Sequence, residues 1–239
     1  MRAKEATGLM AFWVDIEADD IAEFRQWHNC EHVPERVGIP GFTVGRRYCG
    51  IGGAPMFFMT YEAEDPGVLS SEPYLTRLDD PTPWTRKSVA RFRNGVRTIY
   101  RLEASAGSPC PTESPYLLTS RFNVAAEVEA AWLDWCRATY LPGLAELDGV
   151  YRARLYAVDE AGSGVETAER DLHGAAPAGQ KYCAWIELAS PDLPGDDAFQ
   201  ARGAASAGGA GGLARCRDAI SGVSWLDFIL HAPGAAKRL

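Results

Sequence analysis

The chain writes one structural pattern twice, and only the first copy carries histidines. Trp27-His28-Asn29-Cys30-Glu31-His32-Val33-Pro34 aligns on Trp135-Cys136-Arg137-Ala138-Thr139-Tyr140-Leu141-Pro142. The register runs without a gap from Leu9/Leu117 through Gly41/Gly149 and Arg46/Arg154 to Tyr48/Tyr156. Self-similarity at a fixed interval marks a duplicated structural unit. Residues present in both copies are then frame, Trp27 and Trp135 among them as core. Polar residues present in only one copy are candidates for chemistry. His28, Glu31 and His32 become Cys136, Thr139 and Tyr140 in the second copy.

A length of 239 residues with 46% hydrophobic side chains supplies material for one large core or two ordinary ones. The net charge of −8 and the lack of a basic run argue against nucleic acid and against an anionic membrane surface. No stretch reaches the roughly 20 apolar residues of a spanning helix. The N-terminus has no secretory apolar region, so a soluble, cytoplasmic protein is expected. Six cysteines without a Cys-x-x-Cys pair suggest neither a disulfide framework nor structural zinc. Cys136 reads as a small buried side chain, or as part of a pocket wall.

Leu9 to Glu17 reads as a buried strand, and Asp19-Asp20 as the start of a helix carrying Ile21, Phe24, Trp27, His28 and Glu31. Pro34 lacks the N–H that a helix interior needs, so this helix is expected to end or kink near His32. Strands follow at Phe42 to Cys49 and Met56 to Glu62, helical pieces at Pro66 to Leu78 and Trp84 to Phe92, and a strand at Val96 to Leu102. This order is the ferredoxin-like βαββαβ unit. Residues 1–103 form the first repeat, 104–115 a Pro- and Ser-rich linker, and 116–239 the second repeat. The second repeat runs as strand (Tyr116 to Val124), helix (Glu127 to Tyr140) and strand (Val150 to Val158). A polar insertion at 159–180 precedes strands at Tyr182 to Leu188 and Trp225 to Leu230. Ala201 to Leu213 reads as a weak glycine-rich helix, since it lacks the Gly-Lys-Ser/Thr ending of a phosphate loop. Each such unit has helices on one sheet face only. The fold class is therefore α+β, with two repeats packed sheet to sheet as an intrachain dimeric α+β barrel. A small-molecule cavity is expected between sheet and helices.

The string Trp27-His28-Asn29-x-Glu31-His32-Val33-Pro34-Glu35-Arg36, followed by Ile39-Pro40-Gly41-Phe42 and Arg46-Arg47-Tyr48, resembles the EthD-like branch of the dimeric α+β barrel superfamily. So do Tyr74-Leu75, Pro81-Thr82-Pro83-Trp84-Thr85-Arg86, Phe92-Arg93-Asn94 and Val96-Arg97. The resemblance covers residues 8–102 well, and the second half only in element order and Trp/Pro/Gly positions. It implies a small-molecule pocket under the first helix of each unit. It does not imply one reaction, since the superfamily includes cofactor-free monooxygenases, cyclases, isomerases, decarboxylases and haem-using enzymes. Most members are homodimers of single units, so this chain is expected to be a monomer with an internal pseudo-dimer, or a homodimer.

His28, Glu31, His32 and Glu35 stand at i, i+3, i+4 and i+7, on one helical face if the helix lasts that far. An imidazole oriented by a carboxylate is a proton acceptor or donor near neutral pH. His28 and His32 are thus candidate catalytic groups, with Glu31 or Glu35 orienting one; alternatively a histidine caps the helix and Glu35 pairs with Arg36. Tyr61, Trp84, Arg86 and Tyr140 are candidate substrate-binding residues, as aromatic walls and a cation. His-x-x-Glu-His also matches an inverted zinc motif, with Glu62 or Glu72 as a further ligand. A haem axial histidine is a second cofactor alternative, without an attachment motif. Arg46 and Arg154 could bridge the units; His173 and His231 are expected to be exposed. The favoured reading is an enzyme without a tightly bound cofactor, acting on an aromatic or polyketide-like molecule as a lyase, isomerase, cyclase or cofactor-free monooxygenase. The alternatives are a non-catalytic binding protein and a metal- or haem-dependent enzyme using His28 and His32.

Overall fold

A computed structural model describes residues 5–53, 55–204 and 211–234, which divide into two compact units. The first contains the described residues up to Arg101, together with Val158–Ala178 and the stretch from Leu226. The second contains Leu102–Ala157 and the described part of Gly179–Trp225.

In the first unit β1 (Gly8–Asp15) is buried on both faces, as its continuous apolar run demands. It is followed by α1 (Ile21–Trp27), a π turn (His28–His32) and α2 (Val33–Val37). Then come β2 (Phe42–Gly50), β3 (Phe57–Ala63), α3 (Glu72–Asp79), α4 (Pro83–Val89) and β4 (Arg93–Gly107). β1 pairs antiparallel with both β3 and β4, and β2 pairs with β3. The sheet order β4-β1-β3-β2 is the ferredoxin-like one. The core lies between sheet and helices, where Phe12, Phe24, Trp27, Phe57, Tyr61, Tyr74 and Phe92 pack.

The second unit repeats this plan. β5 (Tyr116–Val124), α5 (Ala126–Trp135), a π turn (Cys136–Tyr140), α6 (Leu141–Ala145) and β6 (Val150–Val158) come first. α7 (Glu160–Gly164) and α8 (Ala168–His173) belong to the first unit. β7 (Tyr182–Leu188), α9 (Asp197–Arg202) and β8 (Cys216–His231) follow. The order β8-β5-β7-β6 matches that of the first unit. Gly41 and Gly149 adopt positive φ (92° and 86°) at the same turn before a strand, where a Cβ would collide with Val68 and Leu193.

Three local expectations need correction. The helix does not end at His32 but widens into a π turn and resumes through Pro34, with Val33 N–H bonded to the His28 carbonyl. The wider turn accommodates the proline's missing donor and the bulk of its ring. Cys136–Tyr140 solves the same problem ahead of Pro142. Strand β4 continues to Gly107, so backbone pairing reaches into the segment read as linker, and Ser108 N–H donates to the Tyr151 carbonyl. The polar insertion at 159–180 contains two short helices. Of the expected weak helix, residues 205–210 lie outside the described residues, and α9 ends at Arg202. No helix among the described residues is long and apolar enough to cross a membrane.

Candidate functional site

The π turn places His28 and His32 on the buried side of the first helix, 0% and 6% exposed, with ring centroids 5.7 Å apart. The two rings have different environments. His28 is engaged at both nitrogens: Arg47 Nη1 lies 3.0 Å from Nδ1, and Tyr61 Oη lies 3.1 Å from Nε2. A guanidinium only donates, so Nδ1 accepts and the proton sits on Nε2, donating to Tyr61. Arg47 is itself fixed by Asn29 Oδ1 at 2.8 Å and Asp227 at 2.7 Å. Burial first, and the Arg47 charge second, hold the His28 pKa well below the usual imidazole range. His28 is therefore a neutral brace that leaves the Tyr61 hydroxyl proton free to donate elsewhere.

His32 packs against Trp27 at 4.4 Å between ring centroids, and its buried Nδ1 has no hydrogen-bond partner among the described residues. Burial, then the charge of Arg36, keep it neutral as well. It opens onto a cavity lined by Met10, Phe12, Met59, Tyr61, Val89 and Phe92, and by the polar side chains Arg36, Tyr74, Arg97, Glu169 and His173. The space these side chains frame, mouth included, is about 340 Å³, but as they stand it has room for about one water molecule. A ring-sized ligand therefore enters only with movement of the wall.

The carboxylates do not orient the histidines, contrary to expectation. Glu31 accepts from Thr82 Oγ1 at 2.5 Å and Thr85 Oγ1 at 3.0 Å, and Thr85 in turn accepts from Trp27 Nε1 at 3.1 Å. Glu31 thus steadies the indole beneath His32 from the start of α4. Glu35 faces Arg36 at 3.3 Å, and burial raises its pKa. Arg36, fully buried over the Tyr74 ring, also pairs with Glu169 at 2.5 Å.

Of the expected substrate-binding residues only Tyr61 lines this cavity. Trp84 is half-buried against the core, and Arg86 is exposed, because Thr85, Ser88 and Val89 occupy the inward face of α4. Tyr140 belongs to the second unit, stacked on Trp135 at 5.2 Å. Burial pushes the Cys136 thiol up to about 12, as suits an inert apolar neighbour. His173 is not exposed: it leans on Phe12 and Phe92 with centroids 5.0 and 6.3 Å away. Burial, then Arg97 and Arg170, lower its pKa to about 3. His231 is half-buried. Arg46 pairs with Glu62 at 2.5 Å in one unit and Arg154 with Glu187 at 2.9 Å in the other, each on the adjacent strand.

The inverted zinc motif finds no support in this geometry. His28 has no ring nitrogen to spare, Glu31 is held by threonines, Glu62 is on Arg46, and Glu72 is exposed. Among the described residues no three His, Cys, Asp or Glu are grouped to hold a metal ion.

Sequence reasoning missed Arg36 and Arg97 as cavity residues and Arg47 as a partner of His28, placed His173 in solvent, and missed Glu169 altogether. Arg36 and Arg47 were within reach, since the gap-free register sets them opposite Leu144 and Leu155. Glu169 and His173 lie in an insertion with no counterpart in the first half and carried no such signal.

No protein-family model matches the chain, and no curated protein matches it in sequence. Solved structures do. An anthrone oxidase-like protein superimposes with a TM-score of 0.65 at 9% identity, covering 100% of this chain and 98% of that one. A protein from Fusobacterium nucleatum, provisionally named a monooxygenase, gives 0.60 at 8% identity, covering 97% and 96%. One from Lactobacillus acidophilus, named in the same way, gives 0.59 at 7%, covering 95% and 97%. What the chain shares with these proteins is the fold.

Proposed function

We propose that the first unit is the active half of a small-molecule enzyme, in which His32 takes a proton from a flat aromatic or polyketide-like substrate without a tightly bound cofactor. One observation carries this reading. His32 is a neutral, buried imidazole with an unpaired nitrogen, set in a wall of aromatic and thioether side chains. A neutral imidazole is the form that accepts a proton.

The surroundings support the same step. Proton removal leaves an electron pair that delocalises onto a substrate oxygen as an enolate or phenolate. Arg36 supplies positive charge beside it. Tyr61, its hydroxyl kept protonated by burial and its oxygen occupied by His28, supplies a donor. From that anion, return of the proton at another carbon isomerises the substrate, attack on an internal carbonyl cyclises it, and expulsion of a leaving group makes a lyase. Transfer of the electron pair to dioxygen, forming a C–O bond, begins a cofactor-free monooxygenation. The names of the structural neighbours favour this last outcome.

We also infer that the chain is a tandem duplication within the EthD-like branch, its two repeats standing in for the subunits of a homodimer. The shared π turn, the paired Trp27/Trp135 and Gly41/Gly149, and the common sheet order support it.

The test is conversion of small aromatic metabolites in cell extracts, with and without oxygen, followed by mass spectrometry for wild type beside His32→Gln. Conversion by wild type alone is expected. Binding of a metabolite without conversion makes the protein a carrier, and equal conversion by both proteins removes His32 from the chemistry.

A further inference from the structure

Arg97 is a buried cation that meets no counter-ion among the described residues. It is 4% exposed, and among the described residues its guanidinium donates one side-chain hydrogen bond, to the neutral Tyr74 hydroxyl at 3.0 Å. Among the described residues no carboxylate lies within 4.0 Å of it. Its neighbours increase the imbalance, because Arg170 is close enough to be repelled by it and His173 is neutral. Glu169, the acidic group of the same cavity, is committed to Arg36. Removing a guanidinium from water costs several kcal/mol unless an opposite charge meets it.

Position gives this cation a use. Arg97 lies on β4 opposite Phe12 of β1, so both project from the sheet into the cavity. Its backbone is pinned, with its N–H donating to the Ala176 carbonyl while Thr98 Oγ1 accepts from Ala178 N–H. The segment carrying Glu169 and His173 is thereby stitched to the strand carrying Arg97. Phe12, Phe92 and the His173 ring pack on one another as an aromatic patch in that wall.

We propose that Arg97 is the anchor for an anionic oxygen of the ligand, so that the substrate class is a flat aromatic molecule bearing one negative charge, as a carboxylate or phenolate. This deepens the proton-transfer reading and rests on it for the identity of the ligand as substrate. The guanidinium fixes the charged end, and the aromatic patch packs against the ring once the wall has moved. An ion pair formed away from water is stronger than one at the surface, so a neutral isostere leaves the cation unmet and binds less well.

The experiment is calorimetric titration of the whole protein with 2-naphthoate, 4-nitrophenolate at pH 8, and 2-naphthamide as the uncharged control. At least one anion is expected to bind about tenfold or more tightly than the amide. Arg97→Met is expected to abolish that preference. It should also raise the melting temperature of the ligand-free protein by about 2–4 °C, because it removes an uncompensated buried charge. If Arg97→Met does not fold, Arg97→Gln, which keeps a donor for Tyr74, takes its place with the same binding readout. No preference for an anion in wild type, or a preference that survives the substitution, overturns the assignment. Turnover without anion preference sinks the Arg97 assignment alone. Anion preference without turnover sinks the proton-transfer reading alone.

Discussion

The two π turns, His28–His32 and Cys136–Tyr140, solve one backbone problem with one geometry and fill it with opposite chemistry. Where the first unit buries His28, His32, Arg36, Arg47 and Tyr61, the same register in the second buries Cys136, Tyr140, Leu144, Leu155 and Ile186. What both units keep is frame: the tryptophan ahead of the turn, the proline after it, the glycine before the next strand, and the Arg46–Glu62 or Arg154–Glu187 ion pair. Since the second unit reaches the same turn without the polar set, the backbone does not require that set. Five buried polar groups that folding does not need carry a desolvation cost, and such groups are retained where they do chemistry.

The sharpest way to break this division is at the paired positions His32 and Tyr140. His32→Gln keeps a polar side chain of similar reach but cannot take up a proton, and is expected to lower turnover by about 10²–10⁴-fold. The measurement is kcat on whichever metabolite the wild type converts. A fall below about tenfold would place the proton transfer elsewhere.

Next in size is the ion pair that ties the cavity to the insertion. Glu169→Gln leaves the fully buried Arg36 with Glu35, 3.3 Å away, as its one formal counter-charge among the described residues. Breaking a buried pair on one side is expected to cost about 3 kcal/mol, read from denaturant unfolding. Glu187→Gln, tested in parallel, asks whether the frame pair of the second unit is comparably dependent. An unchanged stability for Glu169→Gln would mean that the insertion is not part of the first unit's fold.

Acid should also tell the units apart. The chain's four histidines all fall in the first unit, and His28, His32 and His173 have lowered pKa values there. Protonation therefore favours the unfolded chain. The stability these neutral rings contribute is complete above pH ~6.5 and is lost as pH falls through the folded values, which for His173 extends to about 3. Each ring can cost up to about 1.4 kcal/mol per pH unit in that window. Hydrogen exchange at pH 7 and pH 5 is expected to show protection falling in the first unit and holding in the second. His173→Phe should lessen the fall, and equal losses in both units would end the contrast.

How much of this was legible in the chain follows from where each constraint lies. The frame was legible because burial and turn chemistry leave local marks: the apolar run of β1 and glycines at positive φ. The two histidines stood out because a repeat provides its own control. The proline was read correctly as an obstacle to the helix, but its resolution was not, because a π turn has no composition of its own. Glu31 was given the wrong partner, since helical spacing says which side chains are neighbours but not that Thr82 and Thr85 near the start of α4 will compete for the carboxylate. Arg97, Glu169 and His173 come together only through tertiary folding of a segment far away in sequence.

The smallest expected effect is the control on which the comparison depends. Tyr140 occupies the position of His32, but its ring lies flat on Trp135, interplanar angle 15°, beside Cys136 in an apolar cluster. Its hydroxyl contributes none of the hydrogen bonds found around His28. Tyr140→Phe should therefore change stability by no more than about 0.5 kcal/mol and leave kcat and KM as they were. The pair of readouts matters. A stability loss alone would mean that the second unit relies on a polar contact in its core. A fall in kcat at unchanged stability would be more damaging, because it would put chemistry in the unit whose turn is filled with apolar side chains. The conserved frame would then have been keeping two working sites, and the exchange of histidines for cysteine and tyrosine would mark a change of reaction rather than its loss.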